Sequence, residues 1–167
     1  MERPELALKR VVAMAQATIA GCDAAAVTLV RNGRAIPVVS TTDMARELDS
    51  VQCRTGEGPS LDAIRQLQVF NVATDADARS WPGFSKEATA RGVLSSLSVP
   101  LTVGGEAVGA LNLYSHSPEA FIGCEAIAVV FGSQAAATVS GALPGIGTAA
   151  ESRLASEPAS EDRTAAV

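Results

Sequence analysis

The stretch from Gly92 to Ser115, GVLSSLSVPLTVGGEAVGALNLYS, constrains the fold of this chain more than any other. Two runs rich in aliphatic residues flank Gly104-Gly105, a pattern that predicts a β-hairpin closed by a two-residue turn. Glycine reaches positive φ without a Cβ clash, which a turn matched to strand twist requires. An uninterrupted hairpin pairs Val103 with Glu106, Leu101 with Val108, Val99 with Ala110, Leu97 with Asn112 and Ser95 with Tyr114. Side-chain alternation puts these residues on one face and Ser96, Ser98, Pro100, Thr102, Ala107, Gly109, Leu111 and Leu113 on the other. On this register Asn112 faces away from Ser96 and Ser98; a bulge inside the hairpin would swap the faces. Pro100 falls opposite Gly109 in a non-hydrogen-bonded pair, with its missing N–H pointing outward. A third strand beyond it is therefore expected to be short or bulged there. Both faces need covering, so the hairpin belongs in a sheet with helices or a ligand on each side.

At 167 residues, with 47% hydrophobic content, the chain is long enough for one domain with a real core. Aromatic residues make up only 4%, so Val, Leu, Ile and Ala must build that core. The net charge of −5 and the absence of any Lys/Arg run argue against a nucleic-acid-binding surface, which needs basic groups to neutralise phosphates. No apolar run reaches the length of about 18 residues that spans a membrane. The N-terminus, MERPELALKRVVAMAQ, carries early charges of both signs and no cleavable signal pattern, so a cytoplasmic location is expected. Cys22, Cys53 and Cys124 are odd in number and form no CxxC, against a disulfide framework or zinc site. A lone histidine, His116, cannot build a multi-histidine metal site, and no phosphate-loop or dinucleotide motif calls for a cofactor.

Along the chain, Leu8, Val11, Val12, Ala15 and Ile19 recur at helical spacing, predicting a helix from Glu5 to Ala20 that stops at Gly21. Strands are expected at Ala25 to Arg31 and Arg34 to Thr41, joined by the type I′ turn signal Asn32-Gly33. Thr42 is a plausible N-cap for a helix over Ala45 to Gln52. A tight loop with two glycines follows, and Pro59 suits the first turn of a helix covering Ser60 to Gln66. A short strand at Gln68 to Ala73, a polar loop over Asp75 to Pro82 and a helix over Phe84 to Arg91 lead into the hairpin. A long helix is predicted from Pro118 to Leu143, with Ile127, Val130, Phe131, Gln134, Ala135 and Thr138 as its stripe. From Pro144 onward larger apolar groups are sparse, which predicts a disordered tail over 144–167 behind a single domain over 1–143. This order implies an α+β, three-layer fold: one central antiparallel sheet with helices on both faces, the first and last helices sharing a face.

Several residues carry a family resemblance: Gln52 with Gly56-Glu57-Gly58-Pro59 and Leu61-Asp62-Ala63, then Asp75, Trp81-Pro82 and Phe84. Further on come Gly92-Val93, Ser95, Leu97-Ser98-Val99-Pro100-Leu101, Gly109-Ala110-Leu111-Asn112-Leu113-Tyr114 and Phe121. In this order and spacing, from about Leu6 to Leu143, the chain resembles a GAF domain, closest to the sensor domains of actinobacterial GAF–ANTAR regulators. The resemblance implies a small-molecule sensor, often dimeric, with its ligand cavity between the sheet and the middle helices and loops. Family members of this kind continue into a helical RNA-binding ANTAR module. The segment after Leu143 is too short for three helices and lacks apolar periodicity, so the expectation is a sensor without that output.

The candidate ligand-binding residues are Cys53, Glu57, Pro59, Asp62, Asp75, Trp81, Phe84, Ser96 and Ser98. The Gly56 to Pro59 loop either presents N–H groups at a helix N-terminus to an anion or merely starts that helix. Glu57 disfavours an anion there and suits a cationic or hydroxylated ligand instead. Trp81 and Phe84 either close a pocket as a lid or plug the core. Ser96, Ser98 and Asn112 either orient a ligand or are solvated or bonded to neighbouring backbone. Cys53 is a redox-sensing thiol only if exposed and lowered in pKa; otherwise it is a small inert side chain.

These residues favour a non-catalytic sensor that acts through a partner protein and dimerises through its terminal helices. A second reading is a dimerisation module whose cavity is filled by side chains. A third is an enzyme resembling GAF-type free methionine-(R)-sulfoxide reductases. Those use cysteines, yet the aligned position here is Ser60, and no cysteine lies between Trp81 and Leu101.

Overall fold

The computed structural model describes residues 3–140. In chain order these form α1 (Pro4–Thr18), β1 (Ala24–Arg31), β2 (Arg34–Ser40), α2 (Asp43–Thr55), α3 (Pro59–Gln66), β3 (Phe70–Ala73), α4 (Pro82–Ala90), β4 (Ser95–Val103), β5 (Glu106–Ser115) and α5 (Glu125–Val139). The strands make one five-stranded antiparallel sheet in the order β2-β1-β5-β4-β3. The predicted α+β architecture is observed, with α1 and α5 on one face and α2, α3 and α4 on the other.

Local chemistry explains the element ends. Asn32 and Gly33 take φ of 52° and 77°, closing the β1–β2 hairpin as predicted. The Ala45 N–H donates to Thr42 Oγ1 at 3.1 Å, capping α2. This helix runs a turn beyond the predicted Gln52, to a left-handed C-cap at Gly56. Pro59 opens α3, where its missing N–H costs nothing.

The β4–β5 hairpin corrects the predicted register. Its turn is at Gly104-Gly105 and Val103 pairs with Glu106, but the register shifts between Leu101 and Thr102. Beyond the shift Leu101 pairs with Gly109, Val99 with Leu111, Ser98 with Asn112 and Ser96 with Tyr114. The extra residue in β5 flips the parity of everything after it. Leu97, Val99, Leu101, Leu111 and Leu113 now share the apolar face under α1 and α5. Ser96, Ser98, Asn112 and Tyr114 share the opposite face, so the predicted separation of Asn112 from the serines does not hold. The slip sorts leucines from polar groups, and burial of that apolar face fixes it. Strand β3 pairs with β4 only as far as Ser98, two residues short of Pro100, as the missing N–H requires.

The last helix is also corrected. It begins at Glu125, because turns occupy the segment after β5 and Gly123 takes a φ of 79°. Its packed face is Ala128, Phe131, Gly132, Ala135, Ala136 and Val139, while Ile127, Val130 and Gln134 point outward. Small side chains let this helix lie close on β4, where a Cβ on Gly132 would sit 3.1 Å from Val99 Cγ1. Residues 141–167, including the predicted tail, lie outside the described residues.

Candidate functional site

Helix α2 carries Asp49, Gln52 and Cys53 at i, i+3 and i+4, a spacing that puts all three on one side. That side packs on the sheet. Asp49 is 1% exposed, and its carboxylate gathers three neutral donors. Thr28 Oγ1 on β1 donates to Oδ2 at 3.0 Å, Asn112 Nδ2 on β5 to the same oxygen at 3.1 Å, and the Tyr114 hydroxyl to Oδ1 at 2.5 Å. Burial outweighs those hydrogen bonds and pushes the Asp49 pKa up to about 6. The same burial, with the neighbouring Asp49 charge, holds Tyr114 well above the usual phenol value.

Gln52 extends this network to α3. Its Nε2 donates to the Tyr114 hydroxyl at 3.2 Å, and its Oε1 accepts the Ser60 N–H at 2.9 Å. Gly58 makes room for it: with φ of 149°, a Cβ there would lie 2.1 Å from Gln52 Oε1. The Gly56 to Pro59 loop therefore seats Gln52 against the start of α3, and the Ser60 N–H is already taken.

The predicted site residues separate into two groups and two outliers. Ser96 and Ser98 lie buried on the sheet face beside Asn112, and the oxygens Ser96 Oγ and Asn112 Oδ1 are buried with no hydrogen-bond partner. Buried polar atoms of this kind normally find a partner. Glu57, Pro59, Asp62, Trp81 and Phe84 gather where α3 meets α4. Trp81 Nε1 donates to Asp62 Oδ2 at 2.8 Å and the indole meets Phe70 edge to face at 5.7 Å. Phe84 is fully buried among Leu48, Trp81 and Ala88, as a core plug. The Glu57 carboxylate lies against Gly83 in the first turn of α4. Cys53 stands beside Asp49 but is half-buried, and burial together with the Asp49 charge pushes its thiol up to about 12. Asp75 is exposed; Asp77, two residues on, instead caps the loop by accepting the Ala73 N–H at 2.8 Å.

Asp49, Thr28 and Tyr114 are absent from the sequence-based set. For Asp49 a signal was available: an acid, an amide and a thiol at helical spacing on a helix otherwise buried through Ala45 and Leu48. A groove of about 360 Å³ lies elsewhere, between the β4–β5 turn and α5, and holds none of the predicted residues. His116 is exposed, with Nδ1 2.9 Å from the Gly92 carbonyl oxygen. Among the described residues no cluster of metal-ligating side chains occurs, and no helix is long and apolar enough to cross a membrane.

A family model described as GAF domain matches residues 4–143. Solved structures with the same fold include a type II free methionine-R-sulfoxide reductase from Thermoplasma acidophilum. It is 17% identical, with TM-score 0.62, covering 83% of this chain and 95% of that one. A domain of a putative two-component sensor histidine kinase from Sinorhizobium meliloti is 15% identical, with TM-score 0.64, covering 83% and 92%. A GAF domain/HD domain protein from Geobacter sulfurreducens is 18% identical, with TM-score 0.58, covering 81% and 91%. No curated protein matches the chain.

Proposed function

The chain belongs to the GAF domain family, and from that premise we propose that it is a non-catalytic small-molecule sensor acting in signal transduction or transcriptional control through a protein partner. The observation that carries this reading is the asymmetry of the sheet. One face is apolar through its centre, and its buried serines, Ser95 and Ser115, are hydrogen-bonded to the Ser117 carbonyl oxygen and to Asp23; the other buries a connected polar centre around Asp49 and leaves Ser96 Oγ and Asn112 Oδ1 unpartnered. A face built only for packing gains nothing from such groups, whereas a ligand site needs a few convergent polar atoms in apolar surroundings. The sensor-kinase domain from Sinorhizobium meliloti supports the same class of role. We place the chain closest to the sensor domains of actinobacterial GAF–ANTAR regulators, in the cytoplasm, as a homodimer through α1 and α5.

The reductase reading is disfavoured by the thiols. Burial pushes Cys22 up to about 11 and Cys53 up to about 12, whereas thiol–disulfide chemistry needs a thiolate. The dimerisation-module reading draws on the side chains of Leu48, Trp81, Phe84 and Tyr114, which fill the space between the sheet and α2 and α4.

Thermal melts against nucleotides and small metabolites separate the readings. A sensor shows a concentration-dependent rise in Tm with its ligand. If no compound moves the melt, the dimerisation module replaces the sensor. Turnover of free methionine sulfoxide that is abolished by Cys53→Ser would restore the enzyme.

A further inference from the structure

Resting on the reading of the Asp49 face as a ligand site, we propose that it binds the hydrogen-bond-donor end of a small non-anionic molecule, an amide, amine or hydroxyl group, and rejects phosphates and carboxylates. Charge points this way first. Asp49 is the one charged residue among the buried described residues, and its three partners, Thr28, Asn112 and Tyr114, are all neutral. An anion placed here meets a buried like charge with little solvent between them, where Coulomb repulsion is strong.

The donor count points the same way. An anion is held best by N–H groups and acidic hydroxyls, and the ones that converge here are engaged. The Ser60 N–H at the start of α3 goes to Gln52, the Trp81 indole N–H to Asp62, and the Tyr114 hydroxyl to Asp49. The nearby guanidinium groups are engaged too: Arg91 by Glu47 and Glu87, Arg65 by Asp62. What stands open on the sheet face is an acceptor, Asn112 Oδ1, and a hydroxyl, Ser96 Oγ, with the hydroxyls of Ser60 on α3 and Ser85 on α4 also unpartnered; each hydroxyl donates or accepts. Ser96 pairs with Tyr114 and Asn112 with Ser98, so the two residues are diagonal neighbours on adjacent strands. A ligand N–H or O–H directed at Asn112 Oδ1 satisfies an atom that is otherwise buried at a cost.

Matched pairs differing only by an anionic group test this: a nucleoside and its monophosphate, glycerol and glycerol phosphate, an amino-acid amide and its free acid. Binding to the full chain is read by thermal shift and by Trp81 fluorescence. The expectation is that a neutral or cationic member binds and its anionic partner binds at least about tenfold more weakly. Asn112→Ala and Ser96→Ala should each weaken the neutral member, and the small Ser96→Ala change keeps the test open if Asn112→Ala fails to fold. If an anionic member binds as tightly as its partner, the site remains a sensor and the proposed chemistry is overturned. If no member of any pair binds, both this proposal and the sensor reading fall.

Discussion

Asp49 illustrates how a single side chain can hold two layers together while straining them. Its carboxylate joins α2 to β1 and β5 through Thr28, Asn112 and Tyr114, with no cation to balance it. Its pKa is about 6 in the fold against 3.8 for the ordinary side chain, so the folded protein holds the proton more tightly than the unfolded chain. The resulting stability is full below pH 3.8 and is lost as pH rises through 6. The gap corresponds to about 3 kcal/mol at most. Asp49→Asn should therefore flatten the fall in stability between pH 4 and pH 7. Urea midpoints of both proteins across that interval test it; parallel curves would show that Asp49 does not titrate there. The residue was readable in principle, since it lies on the same helix side as Leu48 and Gln52. A carboxylate on a buried face reads as solvated until its three donors, distant in sequence, are brought to it.

At the scale of elements, turns and caps were legible because their chemistry is local. Asn32-Gly33, Thr42, Pro59 and Gly104-Gly105 each act within a few residues of themselves, and each does what its type requires. Two things that depend on distant partners were misread. The α5 stripe was right at Phe131 and Ala135 but wrong at Ile127, Val130 and Gln134, which point outward; the close approach to β4 selects Ala128 and Gly132 instead. The hairpin register was misread because a bulge adds no residue type of its own. One clue was present: only a one-residue slip sorts Leu97, Val99 and Leu101 with Leu111 and Leu113. Gly109 sits at that slip, where a Cβ would lie 2.3 Å from the Thr28 carbonyl oxygen of β1. Gly109→Ala should cost about 2 kcal/mol or more, because backbone, not a flexible side chain, must yield. Chemical denaturation measures it, and an unchanged midpoint would contradict the tight β1–β5 pairing.

At the scale of the molecule, the two sides of the sheet differ in kind. The α1–α5 side is a continuous apolar core from Leu8 to Val139; the α2–α3–α4 side divides its apolar contacts around the polar centre. Three layers and their order followed from the sequence, because amphipathic spacing decides which helices need a sheet to cover. Which polar groups meet between layers did not follow, because that depends on the register. The terminal helices also keep apolar groups in solvent. Met14 of α1 is 58% exposed, and Val130 of α5 is 55% exposed, with Leu6, Ile127 and Val129 also outward. Exposed apolar side chains on two helices that pack together suit association with a second copy, in which the two helix pairs form a bundle. A charge placed there is desolvated only in the dimer, so Val130→Glu should weaken association while leaving the monomer folded. Sedimentation of wild type and variant, with circular dichroism as the check on folding, decides the matter. The wild type should sediment as a dimer and the variant shift toward monomer; a wild type that stays monomeric at high concentration removes the bundle and leaves sensing to be relayed within one chain.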